Sequence, residues 1–477
     1  MGMNDWLRGQ LWAFLLPGDM VWKERVDRYN EYLDYYRGKQ KRNLRVRPEQ
    51  ADDNLTENYI ELVVERSISL MLGDGVKFEL PDEGNQEYID EVMQANRQDI
   101  TLYDCAQNAA IYGTGFIKIV PAGVESKQRE NVMLPRLVVL DPTWMQVNTE
   151  PEDVGTVIGY EMRYNVGDLA RKEITSVFEK DTEGRVLSWQ VDNYKADQTT
   201  GGRWTLIPEL SFVWEYEFPP ILHWKNLPLA NSAYGRDEVS QLIELQDRVN
   251  FVSSNISKII RYHAHPKTWG RGAGLGNKAS WGADEIVMVN GTDATLQNLE
   301  MQSDLASSRE FRDELKAALM EISRTVDLSS MKDKVGALTN FGLRVLYNDA
   351  LDKCSTKRDI FGDALIELVH RLLVLDNRPG EAGEVVWPDP LPVNETEEVQ
   401  SYGFDLEQGL VSKQTISSRR GYDWEQEQER IEEDKQANDN IGSMLLRAFD
   451  RGTDMTPARP PQVPPQLAQA EEEEPTE

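Results

Sequence analysis

Cysteine and histidine are scarce in this chain. Cys105 and Cys354 lie far apart and form no CxxC pair. A disulfide framework is therefore not what organises the fold, and a reducing compartment is favoured. Four histidines show no metal-ligand spacing. His263 and His265, two apart, suit a strand or a loop better than a helical ligand pair. The apolar run "LWAFLL" at 11–16 falls well short of the ~20 residues that cross a bilayer, and no small-residue cleavage site follows it. The opening "MGMNDW" has Trp6 where an N-myristoylation pattern needs Ser or Thr. No membrane partner is expected. Positive charge is also in deficit, with 52 Lys and Arg against 82 Asp and Glu and a net charge of −30. That balance repels polyanions and argues against gripping DNA over the whole surface, though not against letting DNA slide past.

Catalytic signatures are missing as well. "WGRGAGLGNKAS" (269–280) has the glycines of a phosphate loop. A Walker loop, however, needs Lys directly after the last glycine and then Ser or Thr. Here Asn277 precedes Lys278 and Ala279 follows, so a flexible insert is the better reading. "YGTG" (112–115) fits a helix C-cap turn rather than a nucleotide fingerprint. There is no GxSxG, no HExxH and no spaced acidic trio for a two-metal site. No cofactor is expected.

What is present is enough to fold. The chain has 477 residues, 40% of them hydrophobic, with 12 tryptophans, which suggests two to four domains. Residues 20–36 read as an amphipathic helix. The stretch 37–47 follows, with six basic and no acidic residues: a solvated linker, or a contact for an acidic partner or nucleic acid. Asn54 and Glu57 resemble a capping box before a helix whose stripe is Ile60, Val63, Val64, Ser67, Ile68 and Met71, stopped by "GDG". "DITLYDCAQNAAIYGTG" is another helix, ending at Gly113. "FIKIV", "RLVVLD", "MQVNT", "TVIGYEMRY", "RWTLIP" and "FVWEYEF" are strand-like. Residues 50–230 thus read as one α+β domain.

After Gly235 the pattern changes. Val239, Leu242, Ile243, Val249, Val252, Ile256, Ile259 and Ile260 recur at helical spacing; Asp237 can cap or charge the start, and Pro266 ends it. A glycine-rich insert follows, with strand signals at "EIVMV" and "ATLQNL". "SSRE" (307–310) reads as a capping box opening a second helix with Phe311, Leu315, Leu319, Ile322 and Val326 on one face. "SSMKDKVGALTNFG" (329–342) interrupts, and a long helix runs from Leu343 to about Asp376. From 381 to 477 there are 23 acidic and 8 basic residues, about half of the charge excess. The proline-rich, polyacidic end has the composition of a disordered tail. Two helices that leave and return around a small insert describe a stalk with a knob. Such a pair buries little alone and gains by packing against copies in a ring.

Several stretches, in order, resemble the portal proteins of tailed bacteriophages. They are "YYRG", "NYIELVVERSISLMLGDGVKFEL", "IYGTGFIKIV" with "VVLDPTWMQVNTEPED", "NLPLANSAYGRDEVSQLIELQDRVN", and "GFDLEQGLVSKQTISSRRGYDWEQEQERIEEDK". Arg236 stands where a serine is common in that family. The resemblance implies an α+β portal fold with an N-terminal segment and wing domain (1–234), stem helices (235–264 and 304–327) and a small α/β clip (265–303). A tunnel loop (328–342), a long helix returning to the wing (343–378), a helical crown (379–450) and an acidic tail (451–477) complete it. It implies a homo-oligomeric ring of about twelve subunits at one capsid vertex of the virion, assembled in the host cytoplasm, and no catalysis by this chain. Double-stranded DNA would pass without sequence preference, met by Lys332, Lys334, Val335, Thr339 and Asn340. The clip residues Lys267, Trp269, Arg271, Lys278 and Trp281 would dock the terminase large subunit, which hydrolyses ATP, and later the head-completion adaptor. Major capsid and scaffolding proteins would be further partners. Two alternatives stay open, another ring-forming virion connector and a metal-dependent phage nuclease.

Overall fold

The computed structural model describes residues 17–40, 44, 52, 54–123, 133–167, 169–197, 203–264, 267–271, 295–299, 305–327, 340–391 and 402–419, with 424, 427–428 and 430–431. The chain divides into two units, residues 1–392 and 393–477.

The first unit begins with helices α1 (Pro17–Tyr36) and α2 (Tyr59–Leu72). Ile60, Val63, Val64, Ile68 and Met71 form the buried stripe of α2, the i, i+3, i+4 spacing that places apolar side chains on one face. Its N-cap is Asn58, whose side chain accepts from Glu61 N. Asn54 and Glu57 therefore do not form the expected box. Strand β1 (Lys77–Glu79) leads into helices α3 (Glu83–Ala95) and α4 (Gln98–Tyr112). Asp82 caps α3 by accepting from Asn85 N at 2.9 Å, and α4 stops at Gly113 in the left-handed region.

Strands follow: β2 (Thr114–Val120), β3 (Arg136–Val139), β4 (Met145–Thr149), β5 (Val157–Val166), β6 (Leu169–Lys180), β7 (Val186–Asp197), β8 (Thr205–Leu206), β9 (Phe212–Trp214) and β10 (Ile221–Lys225). One sheet runs β10-β2-β3. A second runs β4-β5-β6-β7-β8, with β9 also on β7. All these pairings are antiparallel. Consecutive strands pair as a meander because short turns join neighbours most simply. "RWTLIP" and "FVWEYEF" thus become two- and three-residue strands, while α3, β6 and β7 carry no sequence signal noted above.

The chain then enters a 3-10 turn (Ser240–Leu242) and helix α5 (Ile243–Ala264). His263 is helical here, not in a strand or loop. Strands β11 (Lys267–Arg271) and β12 (Thr295–Leu299) pair antiparallel, Lys267 facing Leu299. The "KTWGR" segment is therefore a strand where glycines suggested a loop, and "EIVMV" lies outside the described residues. Helix α6 (Leu305–Ile322) starts before "SSRE", which is already inside its first turns, and ends before Val326. Helix α7 (Asn340–Leu346) and helix α8 (Asn348–Leu375) replace one continuous helix, broken at Tyr347.

Strand β13 (Glu384–Val386) returns to pair with β1. Residues 379–391, grouped by sequence with the helical C-terminal part, thus belong to the first unit. In the second unit helix α9 spans Lys413–Arg419.

The principal core packs α2, α3, α4 and α8 around residues such as Ile68, Ile89, Ile111, Leu365 and Leu372, with Ile117 and Ile119 of β2. A second cluster joins the two sheets through Phe116, Met145, Tyr160 and Ile221. Trp189, Val191 and Trp214 make a third on β7 and β9. Helix α8 spans the core with Cys354, Phe361, Leu365, Leu368 and Leu372 all buried. Both cysteines are free thiols.

Candidate functional site

The stretch "NLPLANSAYGRDEVSQL" folds into a joint between sheet, helices and stalk. Asn226 N donates to Gly113 O at 2.9 Å, Arg236 N to Leu227 O at 3.0 Å, and Glu238 N to Ala110 O at 2.9 Å. Gly113 and Gly235 approach so closely that a Cβ on Gly235 would lie 2.4 Å from Gly113 O. Only residues without a side chain fit there. Asp237 Oδ1 then accepts from Val239 N at 2.9 Å and from Ser240 N at 2.5 Å, so its expected capping role is met at the turn that opens α5.

The next residue, Glu238, is buried at 2% exposure. Lys357 Nζ lies 2.7 Å from its Oε1, Lys353 Nζ pairs with its Oε2, and Asn226 Nδ2 donates to Oε1 at 3.2 Å. Lys357 also donates to Ser67 Oγ at 3.0 Å and Lys353 to Ser323 O at 3.2 Å. Burial works against the charged carboxylate, but the two lysines outweigh it and hold its pKa well below the usual range. Burial lowers the pKa of Lys353 against the pull of Glu238. The cluster ties α2, the entry to α5, the end of α6 and α8 to one point.

Helix α5 is seated by polar groups. Gln246, Asn250, Ser253 and Ser254 are buried on one face, against the extended segment 54–59. Ser254 Oγ accepts from Leu55 N at 3.0 Å and donates to Leu55 O at 3.1 Å. Asn250 Oδ1 accepts from Glu57 N at 2.8 Å, and its Nδ2 donates to Gln40 Oε1 at 2.7 Å. Gln246 Oε1 accepts from Tyr59 N at 3.2 Å. Ser253 Oγ donates to Glu57 Oε1 at 2.6 Å, and Arg312 of α6 bonds Glu57 Oε2 at 3.0 Å. Burial raises the pKa of Glu57, but these hydrogen bonds and that of Tyr59 win and lower it. Both stalk helices are thus held to one extended strap whose backbone would otherwise be unpaired.

Sequence reasoning missed both features. Lys353 and Lys357 flank Cys354 on the apolar stripe of α8, an i, i+4 pair of charges at core positions, and that was the available signal. The polar face of α5 reads as solvent-facing until its partner strap is known. Half-exposed Ile260 and Phe311 show that the apolar stripes of the stalk helices are only partly covered.

Of the residues expected to meet DNA or partners, Lys267, Trp269 and Arg271 fall on β11, opposite Leu299, Gln297 and Thr295 of β12. Asn340 opens α7. Lys278, Trp281, Lys332, Lys334, Val335 and Thr339 lie outside the described residues. Among the described residues no group of three or more His, Cys, Asp or Glu could hold a metal ion, and no helix is long and apolar enough to cross a membrane.

These interactions brace helices against a mixed helix-and-sheet body, and the fold they hold together is of the α+β class. Residues 20–440 match the family described as "Phage portal protein, SPP1 Gp6-like", and the chain belongs to that family. No curated protein matches the chain. A phage portal role follows, in a capsid-associated oligomeric ring that handles DNA; the family is structural rather than enzymatic.

Proposed function

We propose that about twelve copies of this chain form the channel at one capsid vertex through which double-stranded DNA is packaged and ejected. Residues 1–234 act as the N-terminal segment and wing, α5 and α6 as stem, 265–303 as clip, 328–342 as tunnel loop, 343–378 as the long returning helix, the C-terminal helical part as crown and 451–477 as an acidic tail. The supporting observation is the helix pair that leaves the body at Glu238, carries an antiparallel strand pair and returns to the Glu238 cluster at Ser323.

The charge fits the task. Twelve copies at −30 give a ring near −360, a wall that avoids the tight phosphate binding that many cations produce. Lys332 and Lys334, with Val335, Thr339 and Asn340, touch the passing backbone transiently, since each contact is screened beyond about 8 Å at physiological salt. The clip, through Lys267, Trp269, Arg271, Lys278 and Trp281, docks the large terminase and then the head-completion adaptor. Major capsid and scaffolding proteins meet the outside of the ring.

Negative-stain images of the purified protein should show rings with a central hole; a compact monomer with Mg²⁺-dependent DNA cutting would instead support the nuclease. The double variant Lys332→Glu with Lys334→Glu should still form rings but package or retain less DNA. Normal infectious titre from that variant would remove 328–342 from the channel. Deleting 270–282 should leave rings intact and abolish packaging.

A further inference from the structure

A cavity of about 300 Å³ lies beside the Glu238 cluster, lined by α2, the turn after α6, the start of α8 and Pro390–Leu391. Its charged lining residues are Arg66, Arg324 and Lys353. Among the described residues no Asp or Glu lines it, in a chain that has 82 of them. The remaining lining supplies apolar wall and the hydroxyls of Ser67, Ser69, Thr325 and Tyr347.

The three cations differ in what they already hold. Arg66 Nη1 donates to Val326 O at 2.8 Å. Lys353 is paired with Glu238, but that cluster holds two lysines to one carboxylate, so positive charge remains in excess at the cavity's edge. Arg324 is exposed, and among the described residues its guanidinium makes no ion pair or hydrogen bond. Glu321, Asp327 and Asp349 line a neighbouring cleft that shares Arg324, yet none pairs with it, and Asp327 is taken by Lys316 at 2.8 Å.

Arg324 has φ 57° and sits just past the end of α6. Arg324 N donates to Glu321 O at 3.0 Å and Thr325 N to Met320 O at 2.9 Å, the Schellman pattern in which glycine is the usual left-handed residue. An arginine there is strained in its backbone, as Arg97, Asn231 and Asn377 also are at comparable φ.

We propose that this cavity is an oxyanion site, taking a phosphate or carboxylate group against Arg324 and the positive excess around Lys353, with Arg66 and the hydroxyls in reach. A planar guanidinium pairs with two oxygens of such a group, and a partly enclosed site strengthens that pairing over its value in water. The site does not depend on the portal reading; only the assignment of its occupant to a neighbouring copy rests on that ring. Its occupant is either a free small oxyanion or a carboxylate side chain of a neighbouring copy, and one experiment separates them.

Inorganic phosphate is titrated into the full-length chain at constant ionic strength, with monomeric and oligomeric fractions measured separately by calorimetry and by Tm. Saturable binding is expected, weakened at least tenfold in Arg324→Gly. That variant should keep or raise the phosphate-free Tm, because glycine suits the turn; if its Tm falls, Arg324→Gln carries the binding comparison. Binding by both fractions supports the site and assigns it to a free oxyanion. Binding by the monomer alone supports the site and assigns its occupant in the ring to a neighbouring carboxylate. No saturable binding in either fraction, or unchanged affinity in both Arg324 variants, overturns the proposal.

Discussion

Replacing Glu238 by alanine removes the anion of a cluster whose three charged residues are each no more than 9% exposed. Both lysines keep a neutral partner, Ser67 Oγ for Lys357 and Ser323 O for Lys353, but neither keeps a counter-charge. Removing one side of a buried ion pair costs about 3–5 kcal/mol, chiefly because the stranded charge stays desolvated. A unit the size of 1–392 has a melting entropy of about 0.8 kcal/mol/K at ordinary per-residue values. The expected fall in Tm is therefore about 4–6 °C. Lys357→Met should cost less, because it leaves one lysine and one carboxylate paired. The triple variant Glu238→Leu, Lys353→Met, Lys357→Met should recover most of the loss, since an apolar cluster of similar volume desolvates nothing. Differential scanning fluorimetry on the purified protein, with scan rate held fixed, reads all three. A shift below 1 °C for Glu238→Ala, or an equal loss in Lys357→Met, would refute the reasoning.

Three further outcomes follow from the joint and the chain's end. Gly235→Ala should lower Tm by several degrees, because its Cβ would sit 2.4 Å from Gly113 O and 2.8 Å from Leu227 O, and backbone atoms cannot step aside cheaply; a Tm within one degree of the parent would contradict the close approach. Burial lowers the pKa of His223 from 6.5 to about 4 while its Nε2 lies 3.0 Å from Ala233 O. The unfolded chain thus binds the extra proton first, and stability is lost as pH falls from about 6.5 toward 4, by about 2 kcal/mol at pH 5. Urea titrations at pH 7.5 and 5 should show that loss shrinking in His223→Gln, and an unchanged loss would exclude this histidine as its source. Truncation after Arg451 should leave the oligomer intact, because 452–477 is proline-rich and polyacidic; light scattering that finds only monomer would overturn this.

The sequence by itself determined the helices with regular stripes, such as α2 with Val64 and Ile68 and α8 with Leu365 and Leu372, because periodic burial of one face is written in residue spacing. It also determined the stop at Gly113 and the cap at Asp237, which rest on local backbone chemistry, and the order of motifs that carries the family resemblance. It overstated caps elsewhere. Asn54 and Glu57 serve the stalk rather than α2, because a side chain able to cap can equally bond a distant helix, and "SSRE" lies inside α6. Short strands at "KTWGR" and "EVV" depended on partners far along the chain, Thr295–Leu299 and Lys77–Glu79, and a three- to five-residue strand has little local signal of its own. Only the tertiary structure decided that Glu238 meets Lys353 and Lys357 across more than a hundred residues, and that the polar face of α5 is an inside face. A charge pattern in one dimension does not say which charges lose their water; that depends on which helices are brought together.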